Sequence, residues 1–313
     1  MLSKLPACFS LVQSHPARQP CAQPGRLLKR LIVNADDFGL SPEVNAGVIR
    51  AHRDGILGSA SLMVAEPAAR AAAELARHNP ALDVGLHAVV CQGRSVLDSR
   101  QLHGAVGASG RFIENPVVAG MRYFFDRSMR AKMTDELRAQ VERHLELVGY
   151  LNHIDGHLNL HVHPILADIL IDLAVEYKVP CLRLPRESVT TTLRLSRDHA
   201  PRKLFESAIF RTLSRRTHRM MAERGLRSTD ALFGLHQSGH LGEEYVVGVI
   251  ERLRDGTTEL YFHPAADVGG IPPEPGAQHE VEILTSPRVR EAIDRNGIEL
   301  TTFADLGKSE LAA

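Results

Sequence analysis

The sequence has no tryptophan, no apolar run near the roughly 18 residues of a membrane span, and no excess charge of either sign, with Lys plus Arg and Asp plus Glu at 37 each. Without an apolar run there is no transmembrane helix, and without a charge excess there is no electrostatic reason to expect a nucleic-acid partner. Cysteine is scarce and scattered. Cys8, Cys21, Cys91 and Cys181 share no CxxC spacing, which suits free thiols in a reducing compartment and argues against a disulfide framework. No GxGxxG follows the first strand-like segment, so a dinucleotide-binding sheet is disfavoured. Residues 1–30 lack Asp and Glu, and their apolar stretch ACFSLV is too short for a signal-peptide core. Residues 1–28 are therefore expected to be a disordered extension or the product of a start codon called too early, and the protein to be cytoplasmic.

What is present is an ordinary globular composition, 44% hydrophobic and 24% charged, with sixteen histidines as its one oddity. From Leu28 onward, aliphatic runs alternate with helical patterns. Strands are expected at LLKRLIVN, ILGSASLMV, LDVGLHAVV, LNHIDGH, VPCLRL, ALFGLH, TELYFHP and GIELTTF. Helices are expected after Ser41, which caps a segment with Pro42 at its first position, and at 67–78, 134–149, 164–178, 202–224, 243–254 and 286–296. Strand–helix repetition of this kind implies parallel strands with right-handed crossovers, either a (β/α) barrel or an open doubly wound sheet. Residues 90–133 show no clear periodicity and are expected to form loops and a small cap over the site.

The histidines concentrate in HIDGHLNLHVHP, His153 to Pro164. Read as an extended chain, its polar residues share one parity and its aliphatic residues the other, so one face would pack under helices and the other would line a pocket. A wet surface strand would show the same alternation, but imidazole is the side chain that binds metals and moves protons near neutral pH.

Other chemically apt residues fall at strand ends: Asn34, Asp36 and Asp37 in VNADDFG, His87 in VGLHAVV, His157, His236 in FGLH and His263 in LYFHP. In parallel α/β folds, sites assemble at the carboxyl ends of strands. Adjacent carboxylates on a turn point apart, so one can ligate a cation while the other serves as base, although an Asp pair before a helix also suits a turn. One carboxylate and two imidazoles bind a divalent cation and leave positions open for water and substrate. Hydrolysis then needs a base and an acid, for which Asp36 and His263 are candidates, and His263 could equally be a strand-end histidine packed on Pro264.

The segments IVNADDFGLS, ASLMV, VGLHAVV, HIDGHLNLHVHP and ELYFHPA resemble the ordered motifs of the YdjC-like carbohydrate deacetylases, the family that includes chitooligosaccharide deacetylase, over roughly Lys29 to Leu306. SPEVNAGVIRAHRDG, DALFGLHQSG and the segment from Leu284 are most similar to its hopanoid-biosynthesis-associated branch. The resemblance implies an α/β fold, a single-domain distorted (β/α) TIM-like barrel over 29–306 with a short tail at 307–313. It also implies removal of an acetyl group from an N-acetylated sugar with one divalent metal ion, Mg²⁺ or Zn²⁺. Carried over residue by residue, Asp37, His87 and His157 hold the metal, Asp36 is the base and His263 the acid. Asn34, His153, Asp155, His161 and His236 are expected in substrate contact or behind the ligands. Many members of that family have a further histidine where this chain has Asn159, a poorer ligand that cannot shuttle protons, which makes His161 the better supporting residue.

Between Arg194 and Arg227, ten Lys or Arg face Asp198, Glu206 and Glu223, interleaved with Leu204, Phe205, Ile209, Phe210, Leu213, Met220 and Met221. Such a helix can lie on an anionic membrane or pack on its own domain. The expected substrate is an N-acetylglucosaminyl conjugate, glycolipid or oligosaccharide, with no nucleic-acid partner and a homodimer as the default assembly. A phosphoesterase on the same scaffold, or a sugar-binding barrel without catalysis, are the alternatives.

Overall fold

A computed structural model of the protein describes residues 28–269 and 276–308. The expected extension at 1–28 lies outside the described residues except for Leu28, as does the tail beyond Lys308. The fold is organised around one long strand, β1 (Lys29–Phe38), whose Leu31, Ile32 and Val33 are buried. A continuous aliphatic run of this kind suits a parallel strand covered on both faces. The others are β2 (Ser59–Leu62), β3 (Asp83–Ala88), β4 (His153–Gly156), β5 (Cys181–Leu182), β6 (Ala231–Phe233), β7 (Gly256–Phe262) and β8 (Glu299–Thr301). Their order is β5-β4-β3-β2-β1-β7-β6, and every pairing is parallel. β8 pairs with Arg30–Ile32 of β1, on the edge that β2 takes over from Asn34.

The sheet curls so that its edges approach. Arg227 N donates to Pro180 O and Leu182 N to Arg227 O, both at 2.9 Å, and Leu232 N donates to Arg186 O. Helices α1 (Pro42–Asp54), α2 (Ala69–Arg77), α3 (Pro116–Phe125), α4 (Arg127–Val148), α5 (Pro164–Glu176), α6 (Val189–Leu195), α7 (Ala200–Glu223), α8 (Glu243–Ile250), α9 (Ala277–Leu284), α10 (Pro287–Arg295) and α11 (Phe303–Lys308) surround it. The fold is a single-domain α/β fold of the TIM-like (β/α) barrel kind, distorted by its short β5 and by β8. Among the described residues no helix is long and apolar enough to cross a membrane.

The expected periodicity is corrected in two places. β4 stops at Gly156, and His157–Val162 form a 3₁₀ turn in which Leu158 (φ 57°) and Asn159 (φ 55°) are left-handed. A side chain at Gly156 would meet His161 Cβ at 2.9 Å, so the chain folds back where an extended strand was expected, and the parity argument ends with it. Residues 90–133, expected as loops, include α3 and the first two turns of α4. Asn115 caps α3 by accepting from the backbone N of Val117 and Val118, and Asp126 caps α4 by accepting from Ser128 N.

Candidate metal centre

Because β1, β2, β3 and β4 pair in that order, their carboxyl ends lie side by side. Asp37, left-handed at φ 63°, ends β1, a conformation that Asp tolerates better than most residues. Its Oδ1 lies 3.2 Å from His87 Nε2 on β3 and 3.0 Å from His157 Nδ1 at the end of β4. The two imidazoles meet edge to face, centroids 5.6 Å apart. One donor atom from each of Asp37, His87 and His157 lies within 4.8 Å of the others, and Asp36, His87 and Asp155 form a second such group. Side-chain exposure is 4%, 2% and 12% for Asp37, His87 and His157, so the group opens to solvent on the His157 side.

The donor set fits a cation. One carboxylate and two imidazoles suit a first-row divalent ion, and His87 has the orienting partner that metal-binding histidines usually have, its Nδ1 donating to Asp155 Oδ1 at 2.7 Å. Burial alone would push the Asp37 carboxyl up, but His157 and His87 hold it well below the usual carboxylate range. Burial would likewise pull His87 down, but Asp155 and Asp36 raise it to about 10.

Behind this group lies Arg183, fully buried on the segment after β5. Its Nη1 and Nη2 donate to Asp36 Oδ2 and Oδ1 at 2.6 and 2.7 Å, its Nη2 reaches Asp155 Oδ2 at 2.8 Å, and its Nε donates to Glu259 Oε1 at 2.8 Å. Its guanidinium stands 4.7 Å over the Tyr261 ring. One arginine thus holds three carboxylates from β1, β4 and β7. Asn34 Nδ2 donates to Asp36 Oδ1 and Ser61 Oγ, and Ser61 Oγ donates to Asp155 Oδ2.

Arg183 and Glu259 are the residues that motif reasoning missed. The available signal was one Arg in the aliphatic VPCLRL and one Glu in TELYFHP, since a charge in a buried strand needs a partner. Burial raises the Glu259 carboxyl to about 7 although Arg183 opposes it. A carboxyl whose folded value lies above its unfolded one binds more protons when folded, so its contribution to stability is present at low pH and is lost as pH rises from about 4.5 to about 7. Denaturant midpoints across that window should therefore show the parent losing about 3 kcal/mol relative to Glu259→Gln. Parallel pH profiles would contradict the assignment.

The remaining expected site residues divide. Asp155 stands behind His87, and Asn34 behind Asp36. His153 stacks on Phe303 at 3.9 Å, with Nε2 3.2 Å from Ser61 Oγ, and its ring fills the space where a Cβ on Gly85 would lie 2.3 Å away. His161 is buried with Nε2 3.1 Å from Arg183 O, and burial lowers it to about 4. Both pack behind the site, correcting the expectation that the imidazole parity lines its mouth. His236 follows β6, its backbone N donating to Glu187 Oε2 and its ring 3.7 Å from Glu206 Oε2. His263 ends β7 edge-on to Tyr261 at 5.6 Å, and Asn159 Nδ2 reaches the Tyr261 hydroxyl at 3.4 Å. His263 thus borders the face-to-edge neighbour Tyr261, over whose ring stands the guanidinium that binds Asp36.

Comparison with known proteins places the chain among relatives over most of its length. The model of the family described as YdjC-like protein matches residues 30–295. A carbohydrate deacetylase from Mus musculus is 32% identical over 300 residues, covering 88% of this chain and 94% of its own. One from Brevibacillus brevis is 30% identical over 283 residues, covering 89% and 100%. The crystal structure of a candidate cellobiose-phosphate cleavage protein from Enterococcus faecalis V583 aligns with a TM-score of 0.69 at 26% identity, covering 89% of this chain and 99% of that one.

Proposed function

Because the chain belongs to the YdjC-like family, we propose that it is a metal-dependent carbohydrate deacetylase, hydrolysing the amide of an N-acetylated sugar to acetate and a free amine. The observation that carries this reading is the convergence of Asp37, His87 and His157 from three strand ends on one point. They would hold one divalent cation, which when bound polarises the acetyl carbonyl and makes a water more acidic. Asp36, fixed by Arg183 and Asn34, takes the proton of the attacking water as its oxygen bonds to the carbonyl carbon. His263 delivers a proton to the sugar nitrogen as the C–N bond breaks. Asp155 keeps His87 in the tautomer that presents Nε2.

The same proposal includes a cytoplasmic protein and a homodimer. Its substrate is an N-acetylglucosaminyl conjugate, on resemblance a hopanoid glycolipid, which residues 194–227 would help to meet at a membrane. Two imidazole ligands favour Zn²⁺ over Mg²⁺, and elemental analysis of protein purified without added metal decides between them. The activity is tested by assaying acetate from N,N′-diacetylchitobiose and from an N-acetylglucosaminyl lipid beside phosphate from sugar phosphates. Acetate release that stops on chelation is expected. Phosphate release alone, or tight sugar binding without acetate, would overturn the reading.

A further inference from the structure

α3 turns its large apolar side chains outward. Val117, Val118, Met121, Phe124 and Phe125 fall at the spacing of one helix face, and are 71%, 51%, 56%, 53% and 69% exposed. The packing face is small: Ala119 is buried, Tyr123 donates to Val90 O at 2.6 Å, and a Cβ at Gly120 would lie 3.6 Å from the His163 ring. Folding has buried the narrow side of this helix and left the broad greasy side in water, and contiguous patches of that kind are uncommon on soluble chains without a partner.

The position of the patch ties it to the site. α3 touches the 3₁₀ turn that starts with His157, and Phe124 lies 6.2 Å from His163 at the end of that turn. Leu158, next to His157, is 39% exposed. α7 touches the same turn and α5. Its Phe210, Leu213 and Met220 are half-buried and its Met221 buried, but Leu204, Phe205 and Ile209 stand exposed.

Charge identifies the occupant. Arg122, Arg127 and Arg130 are exposed beside the stripe, with Arg111 and Lys132 half-buried, against Glu114, Asp126 and Asp168, of which Glu114 pairs with Arg111 and Asp168 with Arg130. α7 lies in the segment with ten Lys or Arg against three acids. The whole chain is neutral, so this excess is regional. A second copy docked through the same face would bring the two basic surfaces together, whereas an anionic lipid surface complements both the charge and the apolar stripe.

We propose that α3 is a membrane-docking helix, its outer face set into the headgroup boundary of an anionic bilayer, so that the turn carrying His157 faces the lipid surface. The inference rests on the membrane-contact part of the function proposed above and makes Pro116–Phe125 the principal contact.

The test is co-sedimentation of the full chain, loaded with its cation, with phosphatidylcholine vesicles with and without phosphatidylglycerol. The parent should sediment with anionic vesicles only, less at high salt. Met121→Glu with Phe125→Glu, both exposed sites, should lower the partition coefficient about tenfold or more, since one buried phenylalanine is worth over tenfold. Phe205→Glu with Ile209→Glu should lower it less. Parent-like binding by the α3 variant, with binding lost only in the α7 variant, overturns the inference and leaves the contact through 194–227. No parental binding to any vesicle overturns both, and a dimer that only the α3 variant dissociates overturns the α3 inference. Acetate release from soluble N,N′-diacetylchitobiose, unchanged in the α3 variant, reads the deacetylase reading separately.

Discussion

Arg183→Met should lower stability by about 3–5 kcal/mol, because it removes the cation and leaves buried carboxylates facing one another. Asp36, Asp155 and Glu259 all bond to this guanidinium, and Asp155 and Glu259 are fully buried. Asp155 is held well below the usual carboxylate range, with Arg183 and His87 opposing its burial. At roughly 2–4 °C per kcal/mol for a chain of this size, the thermal midpoint should fall by about 10 °C, measured by circular dichroism. Arg183→Lys, which keeps the charge but not the two-pronged geometry, should fold better than Arg183→Met and still turn over about a hundredfold more slowly, since Asp36 loses its alignment. Near-parental turnover in the lysine variant would mean that Asp36 needs no such fixing.

Asp37→Asn should abolish most activity with little loss of fold. Asp37 Oδ1 meets both imidazoles, and an amide supplies neither the negative charge nor the affinity of a carboxylate. If the cation is worth several kcal/mol to the reaction, turnover should fall on the order of a thousandfold or more, and metal content should fall with it. Asp155→Asn, acting through His87, should weaken cation affinity by about 10- to 100-fold. Measuring acetate release and bound metal on the same samples separates the two effects. An Asp37→Asn protein that keeps its metal but loses turnover would reassign Asp37 from ligand to base.

The aliphatic run Leu31–Val33 and the polar residues at strand ends made β1, β3 and β7 legible, whereas the grouping of Asp37, His87 and His157 followed only from the resemblance to the YdjC-like family. The alternation after Gly156 misleads because it counts only while a chain is extended, and a left-handed Leu158 leaves no mark on the pattern. Arg183 belongs to no histidine motif, and its only mark in the sequence is a lone arginine in an aliphatic strand, which calls for buried carboxylates. α3 was hidden for a different reason. Its apolar residues have helical spacing, but the helix is short, is interrupted by Gly120 and turns them away from the core.

The claim on which the account depends is that His157, at the end of β4, completes a single cation site begun by Asp37 and His87. Isothermal titration of metal-free protein with Zn²⁺, on the parent and on His157→Ala, measures it directly. The account predicts one equivalent bound by the parent, and binding weakened at least about tenfold in the variant. Equal affinity in the two proteins would contradict it, as would a parent that binds no cation.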